Sequence, residues 1–182
     1  MSEDKLTNKI QEDLSPTRNL KGIHLKIVAL IAIIWSLFQL WYASPFPFWF
    51  NFGMFKGLPA RAIHLGFALL LAFLIFPYSR SKKISVIDIL ISIIGALCCL
   101  YIYFFYDQLV DRGGILLKIT IGGNIIPIEL IIGSLGILIL LEATRRVIGI
   151  PLVVIAVSFL LFSYFGRYAP EIISHGGLSL NR

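Results

Sequence analysis

Five stretches of the chain, at about 25–43, 62–78, 85–106, 124–141 and 147–165, are apolar over nearly the length needed to cross a bilayer. Hydrocarbon offers the backbone no hydrogen-bond partner, so a spanning segment has to satisfy its own N–H and C=O groups. About 20 residues of α-helix, with about 17 as a lower limit, cover the roughly 30 Å of core. The expected fold class is therefore all-α, a polytopic transmembrane helical bundle of about five membrane-spanning helices. Composition fits that class: 58% of residues are hydrophobic and 14% charged, against about 45–50% and about 25% in soluble domains.

The charges that do occur punctuate the runs. The first run is charge-free from Ile27, the second lies between Arg61 and Arg80, and the fifth is uncharged from Val147 to Gly166. The third holds Asp88 near its start. The fourth holds Glu129, where a carboxylate near a helix N-terminus is favoured by the dipole, with Asn124 expected to cap and Pro127 to fit the first turn. With the N-terminus inside, ten Lys and Arg residues fall on the cytoplasmic side and six outside, a bias that obeys the positive-inside rule. The net charge of +6 is thus a topology signal, and no nucleic-acid partner is expected.

Three parts follow: a polar cytoplasmic segment at 1–24, a four-helix membrane bundle at 25–146, and a fifth span with an outer tail at 147–182. In the first, Leu6, Ile10 and Leu14 are spaced for a short amphipathic helix that Ser15-Pro16 ends. Its acidic residues argue against a secretory signal, so the segment is expected to be retained. PFPFWFNFGMF (45–55) reads as too proline-rich for a helix and aromatic enough to anchor in the outer interfacial zone. DQLVDRGGILLKITIGGN (107–124) reads as a connector holding one short helix or hairpin.

No catalytic constellation is present in the sequence. The adjacent Cys98 and Cys99 have no disulfide framework and no metal-ligand spacing. His24, His64 and His175 are far apart, and no phosphate-cradling or nucleophile-elbow motif occurs. The chain is expected not to be an enzyme and to hold no cofactor. His64, three residues after Arg61, reads as an interfacial side chain, with contact to a partner as the other reading. Asp88, Ser92, Gly95 and Cys99 share one helix face and predict a close-packing stripe, as Gly133 and Gly136 do in the fourth run. Asp88 itself reads as a cap or ion pair near Lys82 and Lys83, with a coupling-ion or proton site as the lesser reading.

LEATRRVIGIP (141–151) places Glu142 three and four residues before Arg145 and Arg146, so all three share one helix face. In soluble helices each such pair contributes about 0.2–0.5 kcal/mol. Their sign carries more weight, because arginines at the inner end of the fourth span complement the helix C-terminus. Gly149 is expected to end or bend that helix, and Pro151 to open the next. One continuous kinked helix would instead put both arginines near the middle of a rod of roughly 60 Å. Glu142, Arg145, Arg146, Asp88 and Arg61 are the candidate topology or subunit-interface residues.

RAIHLGFALLLAFLIFP (61–77), LEATRRVIGIPLVVIAVSFLLFSYFGRYAP (141–170) and HGGLSLNR (175–182) resemble the small N-terminal membrane portion of fused permeases of tripartite ATP-independent periplasmic (TRAP) transporters, in the TAXI branch. The resemblance implies a secondary transporter of organic acids in a bacterial or archaeal inner membrane. It also implies partners: a large permease subunit, or the C-terminal portion of the same fused protein, and a periplasmic TAXI-type solute-binding protein. In that family the small portion, usually four helices, braces a large portion that carries the solute site and the coupling ion, Na+ or H+. No such site is expected in this chain. Because the sequence stops within HGGLSLNR, the expectation is a separate small subunit or a truncated fused permease. The reading from another class is a stand-alone structural or sensory membrane protein with no transport role.

The charge reversal Arg145→Glu with Arg146→Glu is expected to disturb topology or subunit assembly without changing which solute is recognised. Cysteine accessibility and pull-down measure this, and normal insertion and assembly of the double variant would refute it.

Overall fold

The structure is a computed structural model that describes residues 17–78, 84–113, 115–121 and 124–168. It is a helical membrane bundle: α1 (Ile23–Ala43), a short α2 (Phe46–Phe50), α3 (Gly57–Ile75), α4 (Val86–Asp111), a two-stranded ribbon of β1 (Ile119–Ile121) and β2 (Asn124–Ile126), α5 (Ile128–Val147), α6 (Ile150–Phe165) and a 3-10 turn at Gly166–Tyr168. Among the described residues three helices, α1, α3 and α4, are long and apolar enough to cross a membrane. α5 is 20 residues long but carries ionisable residues at both ends. α6 has 16 residues, about 24 Å of helix, which is short of the hydrocarbon thickness.

α3 and α4 form the most extensive helix pair, α1 lies on α3, α5 packs on α4 and α3, and α6 leans on α5. The predicted face of α4 is the one that packs: Asp88, Ser92, Gly95, Cys98 and Cys99 are its buried residues. Leu69 and Phe73 of α3, Cys99 of α4, and Ile139 and Ala143 of α5 make the central cluster. Gly95 is where α4 approaches both neighbours, since a β-carbon there would lie 2.9 Å from Ile139 Cγ2 and 3.2 Å from Leu69 Cδ1. Small residues permit such approach, and in a bilayer close packing largely replaces the water-driven hydrophobic effect as the force between helices. The glycine pair of α5 divides: a β-carbon at Gly136 would meet Cys98 Cβ at 3.5 Å, whereas at Gly133 it would meet nothing within 4 Å.

Several boundaries differ from the sequence reading. α4 runs five residues beyond Tyr106, until Arg112 Nε bonds the Gln108 carbonyl at 3.0 Å and Gly113 takes a left-handed φ of 61°. α5 begins at Ile128, and Asn124 does not cap it but pairs with Ile121 in the ribbon. The β-branched residues of Ile119-Thr120-Ile121 and Asn124-Ile125-Ile126 favour strands, and the two segments pair antiparallel. The connector therefore holds a hairpin. The proline-rich stretch does form a short helix, α2, because Pro47 sits in its first turn, where a missing N–H costs nothing. The exposed rings of Phe48, Trp49, Phe50 and Phe52 around it suit the membrane interface.

At the other boundary the expectation held: α5 ends at Val147, Gly149 has φ 113°, and Pro151 stands in the first turn of α6. The amphipathic spacing of Leu6, Ile10 and Leu14, the basic residues Arg80, Lys82 and Lys83, and the tail 169–182 lie outside the described residues.

Gly95→Val is expected to destabilise the bundle by about 1–3 kcal/mol through overpacking, whereas Gly133→Ala should be neutral or slightly stabilising. Unfolding of the two variants in mixed micelles checks the contrast.

Candidate functional site at the converging helix ends

An α-helix leaves its first N–H groups and last carbonyls unpaired, with partial positive charge at the N-terminus and negative at the C-terminus. In this bundle the C-terminus of α3, the N-terminus of α4 and the C-terminus of α5 meet at one place, and side chains of opposite sign fill it. Arg18, from the segment before α1, lies across the end of α3. Its backbone N–H donates to Ile75 O at 2.8 Å, and its Nη1 donates to Phe73 O at 2.6 Å and Leu74 O at 3.0 Å. Its Nη2 donates to Asp88 Oδ2.

Asp88 is set in the first turn of α4, which Ser85 caps by accepting from the Ile87 N–H at 3.3 Å. Its other oxygen, Oδ1, accepts from Arg146 Nη1 at 2.7 Å. Arg146, in the last turn of α5, also donates through Nε to Glu142 Oε1 at 2.8 Å. Arg145 closes the chain with two bonds to Glu142, at 2.7 and 2.8 Å. The guanidinium of Arg146 stacks over Phe73 at 4.7 Å, and that of Arg145 over Tyr78 at 5.2 Å.

Arg18, Asp88 and Arg146 have side chains only 1%, 4% and 3% exposed, whereas Glu142 and Arg145 are half-buried. A buried charge that loses its partner typically costs about 3–5 kcal/mol. The arrangement is thus a lock whose members depend on one another. Chemically it is closed: every oxygen of Asp88 and Glu142 already accepts from a guanidinium, and the adjacent positive charges oppose entry of a cation. Among the described residues no group of three His, Cys, Asp or Glu side chains is placed to hold a metal ion.

Four of the five sequence candidates, Glu142, Arg145, Arg146 and Asp88, come together here. Arg61 does not. It is exposed in α3, 14 residues before Ile75 and so about 21 Å away along the helix. Arg18 is the member that sequence reasoning missed. It counted only as one basic residue in a polar segment, and nothing in its spacing couples it to Asp88.

Three further polar groups tie the bundle elsewhere. Near the start of α5, Glu129 accepts from Tyr101 OH at 2.9 Å, from Arg112 at 2.6 and 3.3 Å, and from the Leu117 N–H at 2.6 Å. That carboxylate binds the end of α4 and the connector to α5. Between α1 and α3, Trp35 Nε1 donates to His64 Nδ1 at 3.2 Å, and the Gln39 amide reaches the same nitrogen. Lys56, before α3, pairs with Asp107, and that hydrogen bond raises its ammonium pKa above the ordinary lysine value.

No protein-family model, curated protein or solved structure matches the chain.

Asp88→Leu strands two buried guanidiniums and is expected to cost about 3–5 kcal/mol. The triple variant Arg18→Met, Asp88→Leu, Arg146→Met removes the stranded charges and should unfold at a higher denaturant concentration than Asp88→Leu alone. Denaturation in mixed micelles compares the two, and a triple variant weaker than the single one contradicts the lock.

Proposed function

We propose that this chain is the small scaffold part of a secondary transporter of the TRAP type, TAXI branch, bracing a large membrane portion that moves organic acids with a sodium or proton gradient. The observation that carries the reading is the lock: its carboxylates are committed to guanidiniums that pin three helix ends and the segment before α1. Such a bundle is built to hold its shape. Transport needs the reverse, a polar site at bilayer depth and elements that change position. The resemblance of 61–77, 141–170 and 175–182 gives the transporter type, and the loading partner on this reading is a periplasmic TAXI-type solute-binding protein.

Orientation follows the same reading. Arg18, Arg145 and Arg146 share one end of the bundle, and the positive-inside rule makes that end cytoplasmic. The aromatic α2 and the Lys56–Asp107 pair then face outside.

The test is co-purification in mild detergent combined with uptake. The tagged chain should bring down a large polytopic permease, and deletion of the chain should abolish uptake of organic acids in the presence of the binding protein. A chain that brings down no large membrane protein, with uptake unchanged by its deletion, contradicts the proposal and favours a stand-alone membrane protein.

A further inference from the structure

At the end of the bundle away from the lock, a cavity of about 490 Å³ opens between the loop before α3 and the last turns of α4. Its walls combine the rings of Phe55, Tyr103 and Tyr106 with an ion pair, Lys56 to Asp107. The depth follows from α4. Asp107 stands nineteen residues after Asp88 in the same helix, about 28 Å along its axis, which is close to the thickness of the hydrocarbon core. With the lock near one surface of the bilayer, the cavity lies at the headgroup level of the other. Phe52 and Phe104, which also line it, are exposed, so an apolar edge leads from the cavity onto the surface of the bundle.

The wall itself shows how this cavity holds an ammonium. Lys56 donates to the Asp107 carboxylate, and its Nζ lies 5.7 Å from the centre of the Tyr106 ring. A carboxylate and a π-face are two groups that attract a cation at a partly wet site. Asp111, one turn beyond Asp107 on the same face of α4, adds a second negative charge. The Lys56 and Asp107 side chains are 63% and 69% exposed, and an ion pair so open to solvent is weak. Its partners can therefore be exchanged. A ligand with a single charge would take one partner and leave the other unmatched. A zwitterion brings an ammonium to Asp107 and an anion to Lys56, and both stay matched.

We infer that the cavity binds the headgroup of a zwitterionic phospholipid with a primary ammonium, of the phosphatidylethanolamine kind. The lipid ammonium takes the place on Asp107 and Tyr106 that Lys56 now holds, Lys56 turns to the phosphate, and the acyl chains leave past Phe52 and Phe104. A purely anionic headgroup offers Asp107 nothing and is repelled by two carboxylates. A choline headgroup has no N–H to donate. A soluble zwitterion would leave the exposed rings uncovered. The inference goes beyond the transporter reading and does not rest on it, so a permease that fails to co-purify leaves it standing.

The test is native mass spectrometry of the full chain in mixed micelles supplied with equimolar phosphatidylethanolamine, phosphatidylcholine and phosphatidylglycerol. One phosphatidylethanolamine per chain should be retained, favoured about tenfold or more over each of the other two. Lys56→Gln and Asp107→Asn should each lower that retention about tenfold, while Lys56→Arg, which keeps a cation for the phosphate, should preserve it. Soluble phosphoethanolamine at the same concentration should not displace the lipid. Equal retention of the three lipids overturns the inference, as does unchanged retention in Lys56→Gln and Asp107→Asn. Displacement by phosphoethanolamine overturns it in favour of a soluble ligand. Should a variant fail to fold, the lipid competition on the unmodified chain decides.

Discussion

Asp88 sits between two buried arginines, and most of the bundle's arrangement depends on that contact. One oxygen of its carboxylate accepts from Arg18, which closes the end of α3, and the other accepts from Arg146, which stands in the last turn of α5. Each charged group faces a helix terminus of opposite partial charge: the guanidiniums of Arg18 and Arg146 against the carbonyl end of α3, the carboxylate against the N–H end of α4. Burial of three ions is normally unfavourable. Here the helix termini, which would otherwise need capping, supply much of the compensation.

The consequence reaches past these three residues. A membrane bundle gains little from sequestering apolar side chains, since lipid is as apolar as leucine. Close packing at Gly95, Ser92 and Cys99 holds α4 to α3 along its length, but a smooth apolar interface fixes register weakly. A buried carboxylate with two obligatory partners admits one alignment of the helix ends. The Glu129 group does the same where α4 joins α5 through the connector. Between them the bundle is pinned at both ends of α4, whereas α6 has no buried residue.

Much of this was legible in the sequence because membrane patterns are strong. The spacing of Asp88, Ser92, Gly95 and Cys99 gave the packing face of α4, and Gly149 with Pro151 gave the break between α5 and α6. Glu142, Arg145 and Arg146 were recognised as one cluster from their i, i+3 and i, i+4 spacing. What stayed hidden were contacts between residues distant in the chain. Arg18 meets Asp88 across 70 positions and Arg112 meets Glu129 across 17, and no local period reports on either. The start of α5 lies later for another reason: Asn124 and Pro127 look like a helix opening, but Asn124–Ile126 pairs first as a strand with Ile119–Ile121.

The central claim, that Asp88 is an ionised bridge between Arg18 and Arg146 within the membrane-embedded bundle, is open to direct measurement. Solid-state NMR of the chain in lipid bilayers, with carbon-labelled aspartate and nitrogen-labelled arginine, reads through-space coupling between the Asp88 carboxylate and each guanidinium. The expected result is an ionised Asp88 with contact-distance couplings to two arginines, one lost in Arg18→Lys and the other in Arg146→Lys. A protonated Asp88, or a carboxylate coupled to no arginine, would contradict it.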